Sequence, residues 1–64
     1  DVIIQTPNYI YIIECKLDGS AEEALQQIEA KEYAAPFAMD KRKVITLGIN
    51  FSSQTRGVEQ WIIE

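Results

Sequence analysis

Apolar residues along the chain fall into four short runs that are separated by turn-forming sequences. Runs of four to eight β-branched and aromatic residues are typical of strands. The second and third runs are almost entirely apolar, which favours strands buried on both faces of a sheet. The pattern predicts strands at residues 1–5, 9–16, 44–51 and 58–64.

The segment between the second and third strands has the pattern of an amphipathic helix. Ser20 and Glu23 have the spacing of a capping box, and apolar residues follow at helical intervals, at positions 21, 24, 25 and 28. This pattern predicts a helix over residues 21–32. Two strands that are connected through such a helix normally pair in parallel with a right-handed crossover.

The first two strands are separated by a short turn with Pro7 and Asn8 at its centre. Proline and asparagine favour these two turn positions, and strands joined by so short a connection pair antiparallel. In that register Asp1 lies opposite Glu14. The last two strands are predicted to form a second hairpin.

The element order β-β-α-β-β predicts an α/β (α+β) fold with a mixed four-stranded sheet and one crossover helix. We expect residues 1–64 to form a single domain. A single helix covers only one face of this sheet, although both central strands have the composition of strands buried on two faces. We therefore expect additional structure to cover the second face, either a preceding segment of a longer chain or a second copy in a homodimer.

Composition excludes several classes of protein. The chain has 64 residues, of which 47% are hydrophobic, with one cysteine and no histidine. It therefore has neither an internal disulfide nor a Ser-His-Asp triad, and a structural zinc site is not expected. The apolar runs are shorter than a membrane span, so we expect no membrane association and a cytoplasmic location. The net charge of −4 argues against nucleic-acid binding by bulk charge, but it leaves room for a small focused site.

The candidate chemistry lies at the end of the second strand. Glu14 and Lys16 are two residues apart and therefore share one face of the strand with Ile10 and Ile12. A charged side chain in line with buried isoleucines costs several kcal/mol if it is unpaired. With Asp1 opposite, two carboxylates and a lysine converge, and such oxygen ligands suit Mg²⁺. The alternative is a salt bridge where the strand emerges into solvent.

This arrangement resembles the PD-(D/E)xK phosphodiesterase superfamily, in which an aspartate and a Glu-x-Lys motif precede a crossover helix and a buried strand. The chain is most similar to the small nuclease-like domain at the C-terminus of bacterial AAA-ATPase-like proteins of unknown function. The similarity extends over almost the whole chain. Its segments are YIYIIECKLDGSAEEALQQI, KEYAAPF and ITLGINFSSQTRGVEQW.

The resemblance implies a restriction-endonuclease-like core whose first helix and strand would precede Asp1. It implies that Asp1 and Glu14 bind Mg²⁺ or Mn²⁺, with the Cys15 backbone carbonyl as a further ligand. It also implies that Lys16 is the catalytic lysine and that Gln27 is the helix glutamine of the catalytic set. The implied substrate is nucleic acid, either DNA or RNA, with DNA the more expected of the two.

Two functions remain open at this point. The first is a metal-dependent phosphodiesterase, which the intact Asp1, Glu14 and Lys16 set favours. The second is a catalytically inactive dimerisation or protein-interaction module of a larger ATPase-like protein, which the acidic charge favours. Beside the site, we expect the Cys15 side chain to be part of the core and Gly48 to allow close packing of the helix.

Overall fold

The computed structural model describes residues 2–64, so Asp1 lies outside the described residues. All predicted elements that fall within this range are present, and the mixed four-stranded sheet with one helix between its central strands is confirmed. The helix ends two residues earlier than predicted, and a short 3₁₀ turn follows it. The elements are β1 (Val2–Gln5), β2 (Tyr9–Leu17), α1 (Ala21–Ala30), the 3₁₀ turn (Ala35–Phe37), β3 (Lys43–Ser52) and β4 (Gly57–Ile63).

The strands lie in the sheet in the order β1-β2-β3-β4. The outer pairs are antiparallel hairpins, and β2 and β3 pair in parallel through the α1 crossover. Val2 pairs with Ile13 and Gln5 with Ile10, which confirms the predicted hairpin register over the described part of β1. The predicted pairing of Asp1 with Glu14 lies outside the described residues.

Helix α1 packs on one face of the sheet and begins at the predicted cap. The Ser20 hydroxyl accepts a hydrogen bond from the Glu23 backbone N–H at 3.0 Å. Ile28 packs against Ile10 and Ile12 of β2, and partly buried side chains surround this core: Leu25, Tyr33, Ala34, Phe37 and Val44. No helix in the described range is long and apolar enough to cross a membrane.

Gly48 sets the distance between α1 and β3. A Cβ atom built on Gly48 would lie 2.4 Å from the Ala21 carbonyl oxygen, so any side chain here would overlap the helix backbone. Neither the turn conformation nor a positive φ requires this glycine. The predicted role of Gly48 in close helix packing is therefore confirmed.

The other face of the sheet is apolar but has no cover within residues 2–64. Tyr9 and Leu17 of β2 and Trp61 of β4 are exposed, with Trp61 63% accessible. Within residues 2–64 the central strands are covered on one face only, and the expectation that further structure buries the second face stays a prediction. Cys15 is also exposed rather than buried in the core, because alternate residues of β2 point to this uncovered face.

Candidate active site

The candidate site lies where the helix-covered face of β2 approaches solvent. Ile10 and Ile12 are fully buried under α1, Glu14 is 6% exposed, and Lys16 is half-buried. All four side chains share this face because residues alternate along a strand. Lys16 is therefore the member of the series that can reach solvent.

Gln27 of α1 connects the two charged residues of the motif. Its Nε2 donates a hydrogen bond to Glu14 Oε1 at 2.9 Å, and Lys16 Nζ donates to its Oε1. Among residues 2–64, Glu14 and Lys16 form no direct ion pair; the amide lies between them. The alternative of a plain Glu14–Lys16 salt bridge is therefore wrong for the described residues.

The second carboxylate oxygen of Glu14 is buried without a partner. Glu14 Oε2 accepts no hydrogen bond from any of the described residues. A buried carboxylate oxygen without a donor or cation costs free energy, and such an atom requires an explanation. A hard oxygen donor of this kind fits a Mg²⁺ or Mn²⁺ ligand. Residues 2–64 contain no cluster of three His, Cys, Asp or Glu residues that could hold a metal ion, and of the other implied ligands Asp1 lies outside this range and Cys15 would contribute its backbone carbonyl.

The structure brings together three of the predicted site residues, Glu14, Lys16 and Gln27. Asp1 lies outside the described residues. Cys15 lies between Glu14 and Lys16, with its side chain on the uncovered face. The metal-binding role of its backbone carbonyl stays a prediction.

Gln27 has a neighbouring glutamine, Gln26, and the two side chains lie on different sides of α1. Gln27 is half-buried and faces β2, whereas Gln26 is exposed. Tyr33, the tyrosine that follows α1, packs on the hydrophobic core formed around Ile28. Gln27 is therefore the only one of these three that contacts the motif.

Arg42, in the basic segment before β3, forms hydrogen bonds that stabilise the local structure. It donates to Asp40 at 2.7 Å, to Gln5 Oε1 at 3.1 Å and to the Thr6 carbonyl at 3.3 Å. The hydrogen bonds from Arg42 lower the pKa of Asp40 from its usual 3.8 to about 2. These contacts fix the connection before β3 to the β1–β2 turn, at the end of the sheet away from Lys16.

Two further polar residues contact the connection between β2 and α1, and the sequence pattern did not single them out. Asn50 Oδ1 accepts from the Gly19 backbone N–H at 2.9 Å, and Gln60 Oε1 accepts from the Ala21 N–H at 3.1 Å. Asn50 is 1% exposed. One signal was available: Asn50 is the single amide side chain in the apolar run VITLGINF.

Comparison with known proteins identifies the family of this chain. The family model described as the PD-(D/E)XK nuclease superfamily matches residues 1–61, which is nearly the whole chain. Searches of curated proteins and of solved structures return no significant match. Because the family model covers well over half of the sequence, the chain belongs to the PD-(D/E)XK nuclease superfamily.

Proposed function

We propose that this chain is a metal-dependent phosphodiesterase domain that hydrolyses nucleic acid, with DNA as the preferred substrate. Membership of a nuclease superfamily whose members generally use divalent metals supports the reaction class. The observation that carries the proposal is the buried Glu14 carboxylate, which Gln27 holds through one oxygen while the other has no partner within residues 2–64. Lys16 is bound to the same amide.

In this proposal Glu14, Asp1 and the Cys15 carbonyl hold Mg²⁺ or Mn²⁺. Such an ion, when bound, offsets charge on the scissile phosphate and lowers the pKa of a coordinated water. Gln27 donates to one oxygen of Glu14 and thereby fixes the direction of the other. Lys16 contributes positive charge beside the phosphate and orients or deprotonates the attacking water.

Metal binding tests the role of Glu14 without any substrate. Mn²⁺ should raise the melting temperature of the wild-type chain, because a ligand that binds only the folded state stabilises it. In Glu14→Gln the Mn²⁺ effect should disappear, because the amide nitrogen that replaces one carboxylate oxygen is not a ligand for a hard cation. Glu29→Gln, an exposed carboxylate on α1, is the matched control. An Mn²⁺ response in Glu14→Gln equal to the wild type would contradict the proposal.

Cleavage of a plasmid and of a labelled single strand tests the role of Lys16. Lys16→Ala should slow hydrolysis by about 10²–10⁴-fold, the usual contribution of a positioned acid–base group. Lys31→Ala, at the C-terminal cap of α1, removes the same charge at a helix end and should retain the wild-type rate. Equal rates for the wild type and Lys16→Ala, in the complete parent protein with Mn²⁺, would refute a nuclease function.

The second candidate function is a protein-interaction module within a larger ATPase-like protein. The uncovered apolar face supports it, because exposed contiguous apolar surface usually marks an interface. We propose that a second copy or another segment of the parent protein covers this face. A mass measurement in solution tests the homodimer: Trp61→Glu should convert a dimer into a monomer, and a wild-type monomer at all concentrations would exclude it.

A further inference from the structure

Two amide side chains hold the start of α1 to the sheet. Asn50 of β3 and Gln60 of β4 are cross-strand partners, and each accepts a backbone N–H from the connection that leads into α1. The donors are Gly19 and Ala21, one on each side of the helix cap Ser20. We call the Asn50 and Gln60 side chains the amide clamp.

The buried half of the clamp has partners for both ends of its amide. Asn50 Oδ1 accepts from Gly19, and Asn50 Nδ2 donates to Glu59 Oε1 at 3.3 Å. The β3–β4 register shifts at this point, so that Asn50 pairs with Gln60 while the next pair is Phe51 with Val58, and Glu59 is the extra residue of a bulge. A buried amide with partners at both ends is held in a single orientation. The clamp therefore gives the helix start a fixed position on the two strands.

Gly48 of β3 limits how closely the same helix end can approach the sheet. The Ala21 carbonyl lies so close to Gly48 that the helix start cannot move nearer to β3. The clamp resists the opposite movement, away from the sheet. Contact on one side and hydrogen bonds on the other together limit the movement of the helix start towards and away from the sheet.

This height determines whether Gln27 can bridge the motif. Gln27 lies six residues after Ala21, about 9 Å along the same helix. A short rigid helix transmits a shift of its first turn to this position. An increase of about 1 Å in the 2.9 Å distance between Gln27 Nε2 and Glu14 Oε1 would break that bond, because hydrogen bonds weaken beyond about 3.2–3.5 Å.

We propose that Asn50 and Gln60 are positioning residues, which hold α1 at the height that lets Gln27 bridge Glu14 and Lys16. Neither side chain hydrogen-bonds Glu14 or Lys16 among residues 2–64, although Asn50 is also the register partner of Lys16 in the β2–β3 pair. The importance of this positioning for catalysis rests on the proposed nuclease function. The geometric part of the proposal, that the clamp places Gln27, does not depend on that function.

The geometric part is tested by NMR of the Gln27 side-chain amide. In the wild type the amide protons that bond Glu14 should be shifted from free glutamine values and protected from exchange. In Asn50→Ala the chemical shifts of these protons should move towards the free values, and their exchange should become at least about tenfold faster, because the Gly19 N–H loses its acceptor and the helix start is released. Ser20→Ala, which removes a hydrogen bond from the same helix end but leaves the clamp, should keep the Gln27 signals.

A conservative double variant separates positioning from general stability. Asn50→Asp retains the acceptor for Gly19, and Glu59→Gln supplies the donor that the aspartate lacks, so N50D/E59Q reverses the bond between residues 50 and 59. This variant should restore the Gln27 signals. The inference is overturned if Asn50→Ala leaves Gln27 unchanged, if Ser20→Ala shifts it as much, or if the double variant resembles Asn50→Ala.

The effect on catalysis is tested with the same variants in the full-length protein. If the proposed function holds, Asn50→Ala should lower the cleavage rate at saturating substrate by about 10–100-fold, the usual cost of a misplacement near 1 Å. The N50D/E59Q variant should recover it, while the Michaelis constant changes little. If Asn50→Ala loses the Gln27 signals while the wild type cleaves no substrate, the clamp is supported and the nuclease function is refuted. The two failures are therefore distinguishable.

Discussion

Replacing Gly48 with alanine should be the most damaging single methyl addition among the glycines. The added Cβ would lie 2.4 Å from the Ala21 carbonyl oxygen, 3.0 Å from Leu25 Cγ and 3.2 Å from Ala24 Cβ. The nearest of these atoms belongs to helix backbone and cannot rotate away. Relief requires α1 to rise by about 1 Å, given an optimal contact near 3.5 Å.

The energetic cost follows from this geometry. Overpacking a core by one methyl group typically costs about 1–3 kcal/mol, and a clash with backbone lies at the upper end of that range. A domain of this length has a total stability of about 3–10 kcal/mol. Gly48→Ala should therefore remove a large fraction of the free energy of unfolding, measured by urea denaturation. The same rise of α1 should also break the Gln27 bridge between Glu14 and Lys16.

The other two glycines of the chain provide controls in which an added methyl group should have smaller effects. At Gly57 a Cβ would meet nothing within 4 Å, and φ is negative, so alanine should be neutral or stabilise by up to about 1 kcal/mol. At Gly19 the nearest atom is the flexible Glu23 carboxylate at 3.2 Å, so the effect should be intermediate. The reasoning is refuted if Gly48→Ala is as stable as Gly57→Ala, or if its Gln27 amide signals match the wild type.

Three further substitutions test separate parts of the fold. Ile28→Ala should cost about 2–5 kcal/mol in urea denaturation, because Ile28 is 3% exposed in the small core; a cost below 1 kcal/mol would mean that the core is formed differently. Asp40→Asn should lower the urea midpoint at pH 6, and the difference from the wild type should vanish as pH falls from about 4 towards 2. The reason is that Arg42 lowers the pKa of Asp40 to about 2 in the folded state. The charged carboxylate therefore stabilises the folded state fully above its unfolded-state pKa, and this stabilisation is lost as pH falls through the folded-state pKa. A difference that does not change with pH would contradict this. Arg56 has φ of 58°, so Arg56→Gly should raise stability by about 1 kcal/mol, and a loss would show that the side chain contributes more than the backbone strain costs.

Local sequence signals were sufficient for the elements and their order. The Pro7-Asn8 turn determines the β1–β2 register, and the Ser20 cap determines where α1 begins. These features depend on residues that are close in sequence, which explains why the pattern predicts them.

The burial of β2 and β3 could not be predicted in the same way. Alternation distinguishes a half-exposed strand only when its exposed face is polar, and here residues such as Cys15 and Trp61 make the uncovered face apolar as well. The amide clamp was missed for another reason. The bonds from Gly19 to Asn50 and from Ala21 to Gln60 span 31 and 39 residues, so only the tertiary arrangement brings the partners together.

Metal binding at the motif and association through the apolar face use opposite faces of one sheet, so the two properties can be tested independently. Glu14 and Lys16 lie under or beside α1, whereas Trp61 and Cys15 point to the other side. The sheet itself separates the side chains of the uncovered face from those of the motif. Trp61→Glu should thus change association without changing Mn²⁺ binding, and Glu14→Gln should do the reverse. If either variant altered both properties, the cover of the apolar face would itself contribute to the site, and the metal-binding set would include residues of that covering surface.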